Sequence, residues 1–279
     1  MENFYHGKSV LITGGSSGIG LSLAEQLAAY GAHVTILARR PDVLEKARKL
    51  IQNGAQKSVI VQALSADVAD IGAIKNAVSE ASQKAGTPDL LINSAGIAHP
   101  GEFSTLGLET FQSMMQINYF GSLHAIQAVL PHMLERGSGV IVNISSAAGY
   151  LNIYGYTAYG ASKYAVAGFS EALRMELKPQ GIHVSLVFPP DTDTPQLEYD
   201  NQYKPHVTRV LGGSAGSEKP EKVAHEILRG VQKKQFIIVP GLENKLIYSA
   251  VNLLGRSLVH RILDQMVARA LKDNPTTKK

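Results

Sequence analysis

Tyr159 and Lys163 stand four residues apart in Tyr159-Gly160-Ala161-Ser162-Lys163, a spacing that on a helix sets a phenol and an ammonium on one face. A free phenol titrates near pH ~10, too high for acid–base work at neutrality, whereas a neighbouring positive charge favours the phenolate and draws that value down. Such a pair can feed a proton to a nascent alkoxide. The same spacing also occurs on solvated helix faces, so the pair takes its meaning from the residues around it.

Near the N-terminus, Thr13-Gly14-Gly15-Ser16-Ser17-Gly18-Ile19-Gly20 follows the apolar run Ser9 to Ile12 and precedes a helical pattern beginning at Leu21. Strand, glycine turn and helix in that order let backbone N–H groups approach a pyrophosphate, and the helix N-terminus adds partial positive charge. The flanking elements are the context that a glycine motif needs before it counts as a nucleotide site.

The 279 residues, 44% apolar and 18% charged, suffice for one large domain. There are no cysteines, and the nine histidines show no ligand-like spacing, so no disulfide and no metal centre is expected. A net charge of +4, dispersed along the chain, does not point to nucleic acid as a partner. Positions 1–7 are polar, which speaks against a signal peptide, and no apolar stretch reaches the ~20 residues that span a bilayer. The expected location is the cytoplasm or the cytoplasmic face of a membrane.

Short β-rich runs at Val10–Ile12, His33–Ala38, Ser58–Leu64, Leu90–Asn93, Gly139–Ser145, His183–Phe188 and Phe236–Val239 alternate with helical stretches. This predicts an α/β fold, a Rossmann-like, doubly wound sheet of seven parallel strands with helices on both faces. Ligands in that fold gather beyond the carboxyl ends of the strands, where Gly14 to Gly20, Arg39, Asp67, Asn93 to Gly96, Ser145, Ser146 and Pro189 to Thr194 fall. Residues from about 191 to 217, including the run Leu211-Gly212-Gly213-Ser214-Ala215-Gly216-Ser217, are longer than an ordinary connection and predict a substrate lid. Positions 1–240 form the expected catalytic domain, and 241–279 a helical extension.

Taken together, these motifs identify the chain as a member of the short-chain dehydrogenase/reductase family over nearly its whole length. Thr13 to Gly20 matches the family's TGxxxGxG turn, Asn93-Ser94-Ala95-Gly96 its turn after the fourth strand, and Tyr159/Lys163 its YxxxK helix. Ser146, thirteen residues before Tyr159, stands at the interval of the family's catalytic serine. The resemblance implies that Tyr159 protonates a carbonyl, Lys163 stabilises the phenolate, Ser146 orients the carbonyl, and Asn118 extends a proton relay. Asn118 reads equally as a satisfied buried amide. Ser145 and Ser146 cannot both face a pocket from adjacent strand positions, and Ser146 is the expected one.

The second strand ends Leu37-Ala38-Arg39-Arg40, offering no carboxylate to a ribose 2′-OH but a guanidinium for a 2′-phosphate, so NADP(H) is the expected cofactor. Besides Arg39 and Arg40, its expected contacts are Gly14, Ser16, Ser17, Gly18, Ile19, Gly20, Asp67, Val68, Asn93, Ala95, Gly96, Tyr159, Lys163, Pro189, Thr192 and Thr194. Asp67 and Asn93 also suit ordinary turns.

Where the family has a Pro-Gly step, this chain reads Phe188-Pro189-Pro190-Asp191-Thr192-Asp193-Thr194-Pro195, which stiffens the lid and removes one backbone donor. That run, with Thr157-Ala158-Tyr159, resembles the 3-ketodihydrosphingosine reductase branch of the family, which implies reduction of 3-ketosphinganine to sphinganine with NADPH. Another hydrophobic ketone, of hydroxysteroid or 3-oxoacyl type, uses the same catalytic residues, and a non-catalytic NADP-sensing protein is the reading from a different class. From Leu246 to Leu271, apolar pairs recur at helical spacing among Arg256, Arg261, Arg269 and Lys272. This amphipathic helix suits a membrane surface, the core or another subunit. The resemblance also implies a homodimer or homotetramer.

Overall fold

Every strand of the sheet runs in the same direction, because a helix carries the chain back between one strand and the next. In the computed structural model, which describes residues 1–213 and 216–273, a short helix α1 (Glu2–Tyr5) precedes β1 (Ser9–Thr13) and α2 (Gly18–Ala29). Then follow β2 (His33–Ala38), α3 (Pro41–Gly54), β3 (Val61–Ser65), α4 (Ile71–Ala85), β4 (Leu90–Asn93) and α5 (Leu108–Met114). A π-helical segment, Met115–Phe120, joins α5 to α6 (Gly121–Arg136). The second half holds β5 (Gly139–Ile144), α7 (Thr157–Leu177), β6 (Ile182–Val187), α8 (Pro195–Tyr203), α9 (His206–Gly212), α10 (Pro220–Gln232) and β7 (Ile237–Ile238), and closes with α11 (Leu242–Leu254) and α12 (Arg256–Lys272).

The seven strands lie in the order β3-β2-β1-β4-β5-β6-β7, so the winding direction reverses between β1 and β4. Both faces are covered. Leu23, Leu27, Ile51, Ile227 and Leu228 from α2, α3 and α10 pack on Val10, Ile12, Val34 and Ile36 on one side. On the other, Ile74, Val78, Ile126, Val129, Met133 and Leu173 from α4, α6 and α7 pack on Leu11, Leu37, Leu91 and Ile141. Burial on both faces explains why these strands read as continuous apolar runs rather than alternating ones.

Several boundaries differ from the sequence expectation. The third strand starts at Val61 rather than Ser58, in register with Val34; just ahead of it the Ile60 N–H turns to the His33 ring, which accepts at 3.0 Å. The seventh strand keeps two residues of the expected four, pairing with Leu186 and Val187 at the sheet's edge. Helix α2 begins at Gly18, ahead of the apolar pattern from Leu21, because its first turn is built from the glycine motif itself.

The expected lid loop folds into two helices, of which α8 is capped by Thr194, whose Oγ1 accepts from the Leu197 N–H at 3.3 Å, with Pro195 entering the first turn. Its two ends are tied at a neck, where the Asp193 N–H donates to the Glu218 carbonyl and the Glu218 N–H to the Asp191 carbonyl, both at 2.9 Å. Ser214 and Ala215 of that segment, and positions 274–279 of the tail, lie outside the described residues.

The C-terminal periodicity, expected as one helix, belongs to two. Gly255 at φ 75° breaks the chain between α11 and α12, in a conformation that a side chain disfavours. Asn244 ties α11 to the sheet, its Nδ2 donating to the Phe188 carbonyl at 2.7 Å, while α12 packs on α9. Among the described residues no helix is long and apolar enough to cross a membrane.

Candidate active site

The reversal between β1 and β4 opens a cavity of about 510 Å³. Its floor is the glycine turn. Gly14 has φ +69°, and a Cβ there would come within 2.7 Å of the Ala95 backbone, so the turns after β1 and β4 meet only because this position lacks a side chain. No side chain caps α2, and Gly18, Ile19 and Gly20 of its first turn line the cavity. Backbone donors and the helix dipole therefore face a common space, as an anionic ligand requires.

The turn's wall also carries Ser16 and Ser17, with Arg39 and Arg40 exposed where β2 ends. Asp67 and Val68 follow β3 along the same wall; Asp67 Oδ1 accepts from the Ala69 N–H at 2.9 Å, closing a local turn. Ala95 and Gly96 line the cavity after β4, and Pro189, Thr192 and Thr194 after β6. Thr192 Oγ1 donates to the Pro190 carbonyl at 2.8 Å, which steadies the Pro-Pro step.

Asn93, expected among the cofactor contacts, is not among the residues that line the cavity. It is the last residue of β4, buried, and its Nδ2 donates to Asn143 Oδ1 at 2.9 Å; Asn143 in turn donates to Ser170 Oγ at 2.9 Å. Its side chain supports the sheet beneath the turn.

Where β5 ends, the chain brings the catalytic candidates together. Ser146 caps a short 3-10 turn, Ala147–Gly149, its Oγ accepting from the Ala148 N–H at 3.2 Å. The Ser145 hydroxyl instead donates to the Lys163 carbonyl at 2.9 Å, so the adjacent serines point to different tasks. Tyr159 and Lys163 lie on one face of α7, both buried, with Lys163 Nζ 5.7 Å from the Tyr159 ring centre. That ammonium donates to the Ile144 carbonyl at 3.1 Å. Asn118 sits in the π-helical segment with its amide satisfied: Oδ1 accepts from the Ile97 N–H at 2.8 Å, and Nδ2 donates to the Ile97 carbonyl at 2.9 Å and to Ser162 Oγ at 2.8 Å. It lines no part of the cavity, yet its Oδ1 and Lys163 Nζ both lie beside Gly96.

The electrostatics differ from the sequence expectation. Burial pushes the Tyr159 phenol above its ordinary value; hydrogen bonding from Ser146 opposes this, the charges of Asp200 and Asp191 add to it, and Gln196 helps Ser146. The same burial lowers the Lys163 ammonium to about 8. Desolvation is the largest influence on both groups.

Beyond Tyr159 the cavity continues past Tyr150, Leu151, Ile153, Tyr156, Leu197, Asp200, Leu211 and Ile247. None of these was singled out from the sequence as a site residue. Asp200 and Lys204 stand at i and i+4 on α8 and just beyond its end. The structure buries Asp200 and gives Lys204 to Asp191, at 3.1 Å.

A family profile described as short chain dehydrogenase matches residues 8–204. The chain is 41% identical to the Bos taurus 3-ketodihydrosphingosine reductase over 232 residues, spanning 82% of this chain and 70% of that one. It is 38% identical to the Danio rerio 3-dehydrosphinganine reductase over 233 residues, 83% of this chain and 70% of that one. Among solved structures, a short-chain dehydrogenase from Sphingobium yanoikuyae in complex with NADPH superposes with a TM-score of 0.76 at 28% identity, covering 91% of this chain and 95% of that one.

The buried ammonium has a measurable signature. A lysine whose folded pKa is depressed contributes stability that is present above its unfolded value of 10.5 and lost as the pH falls through about 8. In guanidinium unfolding, the stability of the wild type relative to Lys163→Met is expected to climb between about pH 8 and about pH 10. A difference that stays flat across that window would show that Lys163 titrates as a solvated residue.

Proposed function

Because this chain belongs to the short-chain dehydrogenase family, we propose that it is an NADPH-dependent reductase converting 3-ketosphinganine to sphinganine. The observation that carries the reading is the continuity of one cavity, from Arg39 past the glycine turn to Tyr159 and on to the apolar wall at Leu197, Leu211 and Ile247. One end suits a phosphorylated dinucleotide, the middle suits a carbonyl, and the far end suits an alkyl chain. Relatives about 40% identical bear the name of this activity.

The lining fits the cofactor: a glycine cradle that a Cβ would fill, an uncapped helix start, and two guanidinium groups at the β2 end, suited to bidentate contact with a 2′-phosphate. When bound, the reduced nicotinamide supplies the hydride. The chain supplies the proton and the orientation. Ser146 holds the ketone oxygen, and Tyr159 gives its phenolic proton to that oxygen as negative charge develops there. The phenolate left behind lies beside Lys163, whose ammonium is anchored on the Ile144 carbonyl. The π-helical turn that holds Asn118 sets its amide next to Gly96 and Lys163, and the proton is restored along that side. A phenol held above its ordinary value stays protonated until the alkoxide forms, which suits it to act as the acid in reduction.

Two further elements belong to this reading. Leu246, Leu253, Leu258 and Ile262 of α11 and α12 are exposed, and Ile247 both lines the cavity and reaches the surface. These helices rest on the cytoplasmic face of a membrane and admit the substrate's alkyl chain from it. The chain acts as a homodimer or homotetramer, as the family resemblance implies.

Incubation with NADPH and 3-ketosphinganine is expected to yield sphinganine by mass spectrometry, faster than a ketosteroid or a 3-oxoacyl thioester is reduced in parallel. Faster turnover of either competitor, or NADPH binding with no reduction of any ketone, would overturn the assignment. Arg39→Ala is expected to raise the KM for NADPH roughly tenfold to a hundredfold, the loss of a charged hydrogen-bonding partner, and to leave that for NADH unaltered. An equal change for both cofactors would remove Arg39 from 2′-phosphate recognition.

A further inference from the structure

Asp200 is a carboxylate in an unfavourable position. It lies on α8 with 6% of its surface exposed, its Oδ1 makes no hydrogen bond, and it lines the cavity that holds Tyr156 and Tyr159. It is near enough to both phenols to disfavour their ionisation. Lys204, one turn further along, points its ammonium to Asp191 Oδ2 at 3.1 Å. Two carboxylates at the lid's base thus share one cation. Burial, the first cause, and Asp191 raise the Asp200 carboxyl, Lys204 opposes them, and the outcome is a pKa of about 7. Burying a carboxylate without a hydrogen bond or full charge balance destabilises the fold, and proteins keep such groups where a ligand restores the balance.

The substrate reading supplies that ligand. Sphinganine is an amino diol, and in its ketone precursor the carbon bearing the amine adjoins the carbonyl carbon. A cationic amine therefore enters the cavity on the carbon next to the atom to be reduced. We propose that Asp200 receives this protonated amine, fixing the neighbouring carbonyl toward Tyr159 and making the enzyme selective for amino ketones over plain ketones. The inference rests on the reading of the substrate given above. Lys204 remains with Asp191, so two cations then face two carboxylates. The ion pair forms when the lid helix and substrate are both in place, which ties recognition of the head group to α8.

The direct test compares 3-ketosphinganine with its N-acetyl derivative, which keeps the ketone and the chain but carries no charge. The ratio of kcat/KM for free amine over N-acetyl compound is expected to favour the free amine in wild type and to fall roughly 30-fold or more in Asp200→Asn, the scale for truncating one member of a desolvated charge pair. Asp200→Glu should retain a measurable part of the preference. An unchanged ratio in Asp200→Asn would overturn the proposal and leave Asp200 as part of the lid's internal charge network. NADPH binding and the melting temperature report whether the variant folds; if it does not, Asp200→Leu, which removes the charge and keeps the branched shape, carries the same comparison.

Binding separates this inference from the substrate reading. If wild type reduces neither ketone, the reading fails, and thermal stabilisation by sphinganine relative to N-acetylsphinganine, with NADP⁺ present, decides the rest. Stabilisation by the free amine that disappears in Asp200→Asn upholds amine recognition, whereas equal stabilisation by both compounds sinks it.

Discussion

Lys163 and Tyr159 are held where water is scarce, and that constraint governs the rest of the site. An ammonium out of water needs a compensating acceptor, and the end of β5 supplies one in the Ile144 carbonyl. The next residue, Ser145, donates from its hydroxyl to the carbonyl of Lys163 itself, so strand and helix are tied at two successive positions. These bonds set the height and rotation of α7 against the sheet, and with them the place of the phenol. The 3-10 turn opened by Ser146 follows at once, which brings the third polar group to the same spot. Burial raises the phenol and depresses the ammonium, so both shifts favour the neutral forms.

The remainder of the cavity follows from sheet order. With β1 and β4 adjacent and their crossovers leaving in opposite directions, the two following turns diverge and leave a cleft above the strand ends. Its depth depends on the near contact of Gly14 with Ala95. The cleft runs from the guanidinium groups after β2 to the end of β5, so dinucleotide and carbonyl chemistry share one line. Helices α8 and α9 border the far side, where Leu197, Asp200 and Leu211 line the cavity, with Asp191 just ahead of α8.

The parallel sheet was legible because strands buried on both faces leave unbroken apolar runs, and Leu90–Asn93 and His33–Ala38 were placed to the residue. The edge was less so: Phe236–Val239 is as apolar as a central strand, but with one neighbour only two residues hold the ladder. Helical spacing alone pairs Tyr159 with Lys163, whereas Ser146 entered only through the interval that the family resemblance implies. Asn93 was ambiguous, since an asparagine at a strand end serves a turn or a buried amide network equally well, and its partner Asn143 lies fifty residues on. Asp200 was illegible for the same reason. Nothing in Glu198 to Lys204 distinguishes a solvated carboxylate from a buried one until the helix is folded over the cavity. The direction of the Tyr159 shift also depended on burial, which spacing does not report.

The central claim is that the Tyr159 hydroxyl provides the proton. Single-turnover oxidation of enzyme-bound NADPH by 3-ketosphinganine, compared between wild type and Tyr159→Phe, tests it most directly, since it isolates the chemical step from binding and product release. Loss of a positioned general acid predicts a rate lower by roughly 10²- to 10⁴-fold in Tyr159→Phe, with NADPH affinity held within a few-fold. A rate in the phenylalanine variant within a few-fold of wild type would contradict the account.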